Sequence, residues 1–147
     1  MAKQKVGSTY RVVQLLIGVV TFWNLQAAVV FLLRPGEFAP GFELTGKAGE
    51  AMIQGLGLLF VMWNVPYCVA LLNPLRNFTS LIEALIMQGI GAAGETLLLI
   101  QLHGSHPLLA ASVKRFILFD STGVILLLVA LLVTKKMKRR INAPQHN

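Results

Sequence analysis

Four apolar segments, each about 20 residues long, constrain this chain more than any other feature of its sequence. They lie at residues 12–33, 51–72, 81–102 and 116–134. A helix of about 20 residues crosses the roughly 30 Å of hydrocarbon in a bilayer. Because lipid offers the backbone no water to pair with, each segment must satisfy its own hydrogen bonds, as a helix does. The sequence therefore predicts an all-α fold, a single integral membrane domain built as a four-helix bundle.

The composition agrees with burial in lipid. Hydrophobic residues make up 55% of the chain and charged residues 13%, against about 25% charged residues in a typical soluble domain. The net charge of +7 would suit nucleic acid, but the basic residues of the tail over 135–147 directly follow the fourth apolar segment. Such a cluster is typical of a membrane boundary. We therefore expect the lipid bilayer, and no nucleic acid, as a partner.

The distribution of Lys and Arg predicts the orientation. The N-terminal segment, the 73–79 connection and the C-terminal tail carry nine of these residues, whereas the 34–49 and 103–115 connections carry four. Lys and Arg are enriched in cytoplasmic segments, so both termini are expected in the cytoplasm and the protein in a prokaryotic cytoplasmic membrane. Because Arg34-Pro35-Gly36 is no small-residue cleavage site, the first segment is expected to be a retained span.

Prolines and polar residues mark the expected helix boundaries. Pro66 falls inside the second segment and predicts a kink, since proline cannot donate a hydrogen bond to the carbonyl four residues earlier. Pro107 is expected in the first turn of the fourth helix. Ser80 and Glu83 fit a capping box at the start of the third. The 34–49 connection is unusually apolar and is expected at the membrane interface.

Asn24 and Asn64 form a predicted polar pair at the membrane midplane. Each follows a Trp near the middle of its span, and the two spans run antiparallel. We therefore expect the two amides to share a hydrogen bond, directly or through a water. As a link between helices it would contribute about 0.6–2 kcal/mol. A pore or ligand role is the alternative.

Two carboxyl groups lie inside the predicted spans. At about 1.5 Å of rise per residue, Glu95 lies roughly 10 Å below the outer boundary and Asp120 roughly 6 Å. A charge at the centre of a span costs about 2.5–3.5 kcal/mol, so both are expected to face the bundle interior. We expect them to line one ligand-binding or proton-binding pocket, open towards the outer side, together with Gln54, Glu50 and Arg115.

The carboxyl pair has two interpretations. An ion pair with Arg115 would make it structural, and Lys114 and His103 are further cations on the same side. Without a cation, the pocket becomes a candidate site for a proton or a ligand.

The sequence shows no signature of catalysis or of a cofactor. It contains no phosphate-binding glycine loop, no HExxH, no GxSxG and no pair of midspan histidines. The single cysteine, Cys68, excludes an intrachain disulfide and a thiolate metal cage. We therefore predict no catalytic residue and no metal site, and no particular cofactor is indicated.

The layout of the chain resembles that of the small DoxX-like membrane proteins. The resemblance lies in four short spans and in a first connection with two Pro-Gly pairs, Pro35-Gly36 and Pro40-Gly41. It extends over most of the chain and implies a four-helix membrane fold. Some members are accessory subunits of membrane oxidoreductases, so it also implies a place in a larger complex. No catalytic motif of that family maps onto these residues.

Three classes of function follow from these features. We expect a small non-catalytic membrane protein that binds a lipid-like or quinone-like ligand, or serves as an accessory subunit, through the outer polar pocket. A proton-linked transporter or channel using Glu95 and Asp120 is the first alternative, and it requires a homo-oligomer for a wider pathway. A membrane-embedded enzyme on a lipidic substrate is the second.

Overall fold

The four predicted spans appear as long helices. The computed structural model describes residues 2–102 and 104–143, with side chains from residue 7 onward. In chain order the helices are α1 (Ala2–Leu33), α2 (Pro35–Phe38), a 3₁₀ turn (Ala39–Phe42), α3 (Gly46–Trp63), α4 (Val65–Leu72), α5 (Phe78–Gln101) and α6 (Pro107–Asn142). Four helical stretches in this part of the chain are long and apolar enough to cross a membrane. This confirms the all-α prediction and indicates an integral membrane protein.

The predicted kink at Pro66 is confirmed. The second span is divided into α3 and α4 at Asn64, two residues before the proline. The backbone N–H of Asn64 donates to the carbonyls of Phe60 and Val61, both at 3.2 Å. The helix resumes where the backbone N–H of Cys68 donates to Asn64 O at 3.0 Å. The missing N–H of proline accounts for this interruption of the helix.

The predicted capping box at Ser80 and Glu83 is wrong. Helix α5 begins at Phe78, so Ser80 lies within its first turn. Asparagines organise the preceding turn instead: Asn77 Nδ2 donates to Val69 O at 2.7 Å, and Asn73 Oδ1 accepts from the Arg76 N–H at 3.0 Å. These asparagines close the turn locally, so the helix begins at Phe78. With Ser80 as its cap it would begin three residues later, at Leu81.

The fourth helix begins at Pro107, as predicted, and continues through the basic cluster to Asn142. Much of the predicted basic tail is therefore helical. Tyr10, Arg76 and Lys138 line one groove, so the start of α1, the 73–77 connection and the end of α6 lie at one end of the bundle. We call this the basic end, and the opposite end, which holds α2 and the 3₁₀ turn, the loop end.

The apolar core fills the half of the bundle next to the basic end. Tyr67, Leu81 and Leu127 are fully buried there, although their helices differ. Further members come from the same helices and from α1: Val13, Ile17, Val20, Ala70, Ala84 and Ala130. These residues are contributed by α1, α4, α5 and α6, so all four spans meet in this half.

The loop end folds back onto the helices. Phe31 of α1 is in contact with the rings of Phe38 and Phe42, with centroids 5.0 and 5.9 Å away. Its ring also packs on Phe60 of α3 and Phe116 of α6. This aromatic cluster accounts for the apolar character of the 34–49 connection.

Glu43 fastens the loop end to the start of α6. Its Oε2 lies 2.5 Å from His106 Nδ1, and its Oε1 accepts the backbone N–H groups of Leu108 and Leu109 at 3.1 and 3.4 Å. First-turn N–H groups have no acceptor within their own helix. The contact with His106, followed by these two backbone bonds, holds the pKa of Glu43 below its usual 4.5 in spite of desolvation.

Helix α3 diverges from α5 in the half next to the loop end. α5 packs on α4 and extensively on α6, whereas α3 packs on α1 and has no extensive contact with α5 within the described residues. The buried residues of α5 are Leu81, Ala84 and Gln88, and none follows Gln88. We call the region between α3 and the second half of α5, where the two helices make no extensive contact within the described residues, the gap; the candidate site lies beside it.

Candidate functional site

The candidate site lies where α5 and α6 approach each other at two glycines. A Cβ on Gly91 would fall 2.1 Å from Asp120 Oδ2, and a Cβ on Gly123 would fall 2.7 Å from Gln88 Nε2. Real side chains do not tolerate such distances, so both positions require glycine or a shift of the neighbouring group. Each polar side chain therefore rests against the opposite backbone.

A chain of hydrogen bonds leads from α3 to Asp120. Trp63 Nε1 donates to Tyr67 OH at 3.1 Å, and the Tyr67 hydroxyl donates to Gln88 Oε1 at 2.5 Å. Gln88 Nε2 then donates to Asp120 Oδ1 at 2.7 Å. Indole N–H is a donor only, so the Tyr67 hydroxyl accepts from Trp63 and directs its own O–H to the Gln88 carbonyl oxygen. All three bonds point towards the Asp120 carboxyl, which is the final acceptor.

Glu95 brings a second carboxyl group to this place. It lies one helical turn after Gly91 on α5, on the face that meets Asp120, close enough for the two groups to interact electrostatically. Its Oε2 is buried and has no hydrogen-bond partner in the described part of the chain. No salt bridge there involves either carboxyl. The pair therefore holds an unused acceptor without a neutralising cation.

The site borders the gap between α3 and α5. Trp63 ends α3, and its Cζ2 lies 3.8 Å from the position of a Cβ on Gly91. Phe116 lies one turn before Asp120 on α6 and packs on Phe60 of α3, with ring centroids 6.0 Å apart. Aromatic surface and two carboxyl groups thus adjoin the same gap. A molecule with an apolar body and a polar head has complementary chemistry.

The structure corrects the predicted membership of the site, because Glu50 and Gln54 point elsewhere. Glu50 is 2.7 Å from Lys47 Nζ, and Gln54 Nε2 donates to Leu32 O of α1 at 3.3 Å. Both lie on a helix face with Gly57, and a Cβ on Gly57 would be 3.0 Å from Ala28 O. That shared face is real, but it packs on α1 and not on α5.

The predicted cation is not in the site either. Arg115 is exposed and forms no ion pair within residues 2–102 and 104–143. His103, the other candidate named with Lys114, lies outside the described residues. The interpretation of the carboxyl pair as an ion pair with Arg115 therefore finds no support in the geometry.

The predicted Asn24–Asn64 pair is not joined directly. Asn64 Nδ2 donates to Phe60 O of its own helix at 2.7 Å, and its buried Oδ1 has no partner in the described part of the protein. Asn24 is half-buried on α1. The reason is local: the amide of Asn64 supports the helix end that Pro66 creates, so it is not directed across the midplane.

Trp63, Tyr67 and Gln88 were not among the predicted site residues. The Trp63–Tyr67 spacing of four residues places both on one helix face, a signal present in the sequence. Gln88 precedes Glu95 by two turns on the predicted polar face of α5. The sequence does not show which face of α4 points to the core, and Tyr67 lies on that face, fully buried.

No group of His, Cys, Asp and Glu side chains suited to a metal ion occurs in the described part of the chain. Comparisons with protein-family models, with curated proteins and with solved structures gave no match. The resemblance to DoxX-like proteins consequently stays a prediction.

Proposed function

We propose that this is a small non-catalytic membrane protein that binds a lipid-like or quinone-like molecule, alone or as an accessory subunit of a membrane complex. The observation that carries the proposal is the carboxyl pair, Asp120 and Glu95, at the end of a directed hydrogen-bond chain and beside the gap between α3 and α5. Polar groups within spans usually mark functional sites.

The ligand enters sideways from the lipid. Its apolar body lies in the gap against Trp63 and Phe116, and its polar head meets the two carboxyl groups. Glu95 Oε2 is a free acceptor and takes a hydroxyl, as in a quinol or a lipid headgroup. A protonated carboxyl would donate to a carbonyl instead. Tyr67 and Gln88 position Asp120 and do not contact the ligand.

Bound material recovered from the purified protein tests the proposal. The protein is purified in a mild detergent, extracted with organic solvent and analysed by mass spectrometry. The E95Q/D120N double variant should lose the bound lipid-like molecule by about tenfold or more, the effect of one lost hydrogen bond to a charged group.

The matched control is E83Q, the same chemical change at an exposed position on α5. It should retain the molecule in full. Equal recovery from wild type and E95Q/D120N, with both folded, would contradict the proposal.

A proton-linked transporter is the second candidate. The hydrogen-bond chain that ends at Asp120, with Glu95 beside it and no ion pair to either carboxyl in the described residues, favours it. Carboxyl groups within spans form proton relays in pumps and transporters. Proton flux in proteoliposomes discriminates the two candidates. Flux above that of empty liposomes, abolished by D120N and unchanged by E83Q, would select transport over binding.

The proposal places the basic end in the cytoplasm of a prokaryotic cell. The nine-to-four distribution of Lys and Arg supports this orientation. Labelling of Asn147→Cys in a Cys68→Ala background tests it. The probe should react only after the cytoplasmic side is opened, and labelling from the outside of intact cells would reverse the orientation.

A further inference from the structure

A groove at the basic end combines two cations with neutral polar groups. Its volume is about 380 Å³, and it lies between the start of α1, the 73–77 connection and the end of α6. Sites for small molecules occupy about 300–1,000 Å³. The lining consists of Tyr10, Asn73, Leu75, Arg76, Lys138 and Asn142, with Ile141 at the rim.

The two cations of the groove have no acidic partner. The salt bridges of the described residues all involve the loop end, at Glu37, Glu43 and Glu50. No carboxylate is among the lining residues, so Arg76 and Lys138 present uncompensated positive charge. An anion is the ligand that such a surface recognises.

The backbone at Arg76 and the side chain of Lys138 are held in position. Arg76 follows the turn that its own N–H closes on Asn73 Oδ1, at 3.0 Å. Lys138 is half-buried, and its Nζ lies 4.9 Å from the centre of the Phe78 ring, within the range of a cation–π contact. A restricted side chain such as that of Lys138 loses less entropy when it binds an anion than a free one does.

The groove lies at the level of lipid headgroups. Tyr10 stands two residues before the apolar segment that starts at Val12, and Lys138 follows the segment that ends at Thr134 by four residues. Tyrosine is typical of the membrane–water interface. Leu75 and the 60% exposed Ile141 add apolar surface beside the cations. A water-soluble anion makes no contact with that apolar surface, whereas the glycerol and the upper acyl chain of a lipid pack on it.

We propose that this groove binds the phosphate headgroup of an anionic phospholipid, with Arg76 and Lys138 contacting the phosphate. Asn73, Asn142 and Tyr10 supply neutral hydrogen bonds to the rest of the headgroup. The site is separate from the carboxyl pair, which lies towards the opposite end of the bundle.

Native mass spectrometry of the delipidated full chain, mixed with equal amounts of phosphatidylglycerol and phosphatidylcholine, tests this site. The wild type should retain phosphatidylglycerol preferentially. R76Q/K138Q should bind it about tenfold or more weakly than the control K135Q/R139Q, because charge-assisted phosphate contacts are lost. The control removes one Lys and one Arg from exposed positions of α6 outside the groove.

The single variant R76Q controls for misfolding of the double variant, because Arg76 is exposed and its replacement should leave the fold intact. R76Q should still weaken the retention of phosphatidylglycerol, and R76K should restore part of it. Equal losses in the two double variants would show general surface charge and overturn the proposal. So would equal retention of the two lipids by the wild type. Displacement of the lipid by millimolar inorganic phosphate would assign the groove to a soluble anion instead.

Discussion

Near the basic end the four spans close on an apolar core, whereas near the loop end α3 separates from α5 and polar groups collect at the gap. Leu81 and Leu97 illustrate the contrast on one helix: the first is fully buried and the second is 61% exposed. The kink at Asn64 divides the two halves. One half holds the apolar core, and the other holds the proposed ligand site.

The largest expected effect compares two identical substitutions on α5. Leu81→Ala truncates a fully buried side chain. It should lower the free energy of unfolding by about 2–5 kcal/mol, because it leaves a cavity whose neighbours lose their packing contacts. Leu97→Ala should change it by less than about 0.5 kcal/mol, since lipid replaces an exposed side chain. Unfolding in mixed micelles with increasing denaturing detergent measures both. Equal losses would mean that the two halves are packed alike.

The next effect comes from the glycine contact at the site. Gly91→Ala places a Cβ against Asp120 Oδ2 and should cost about 1–3 kcal/mol, because the carboxyl must give up its position against Gln88 or α5 and α6 must move apart. Gly94→Ala is the matched control: its Cβ meets nothing within 4 Å, and alanine should stabilise the helix by up to about 1 kcal/mol. Thermal unfolding of the two variants separates them. A stabilised Gly91→Ala protein would refute the close approach.

A comparable loss is expected from Tyr67→Phe. The ring stays, but Gln88 Oε1 loses its donor and Trp63 Nε1 its acceptor. A buried polar group left without a partner costs about 1–3 kcal/mol. The Tyr10→Phe variant changes the same chemistry at a half-buried position in the basic groove and should be close to neutral. Thermal unfolding in the same detergent compares them, and equal values would show that the hydrogen-bond chain contributes no stability.

The smallest effect concerns pH at the loop end. The pKa of Glu43 is lowered below 4.5 by His106 and by the α6 backbone, so its contribution to stability is complete above that pH. It should be lost as the pH falls from about 4.5 through the lowered value. Hydrogen exchange of the backbone N–H groups of residues 108–110 should rise over this window in the wild type. In E43Q it should be high and independent of pH, after correction for intrinsic rates. If hydrogen exchange in E43Q depended on pH just as it does in the wild type, Glu43 would not cap α6.

Sequence patterns predicted the helices well because apolar length and proline chemistry are local. The spans and the kink at Pro66 follow from such rules. The face of α5 that carries Glu95 could also be predicted, because the helical repeat determines which residues of one helix share a face. The rotation of α3 was not: Gln54 and Glu50 lie together as expected, yet their face packs on α1. That orientation of α3 depends on the contact of Gly57 with Ala28 and Leu32 of α1, residues far apart in the sequence, which no local pattern encodes.

Tryptophan fluorescence tests the central claim, a ligand site beside α3 and α5, most directly. The chain has two tryptophans, so W23F leaves Trp63 at the site and W63F leaves Trp23, which contacts Phe119 and lines another surface. Titration with a short-chain quinone in detergent should quench Trp63 saturably, and E95Q/D120N in the W23F background should abolish saturation. Trp23 should show only a linear collisional decrease. Linear and identical decreases for both tryptophans would contradict the account.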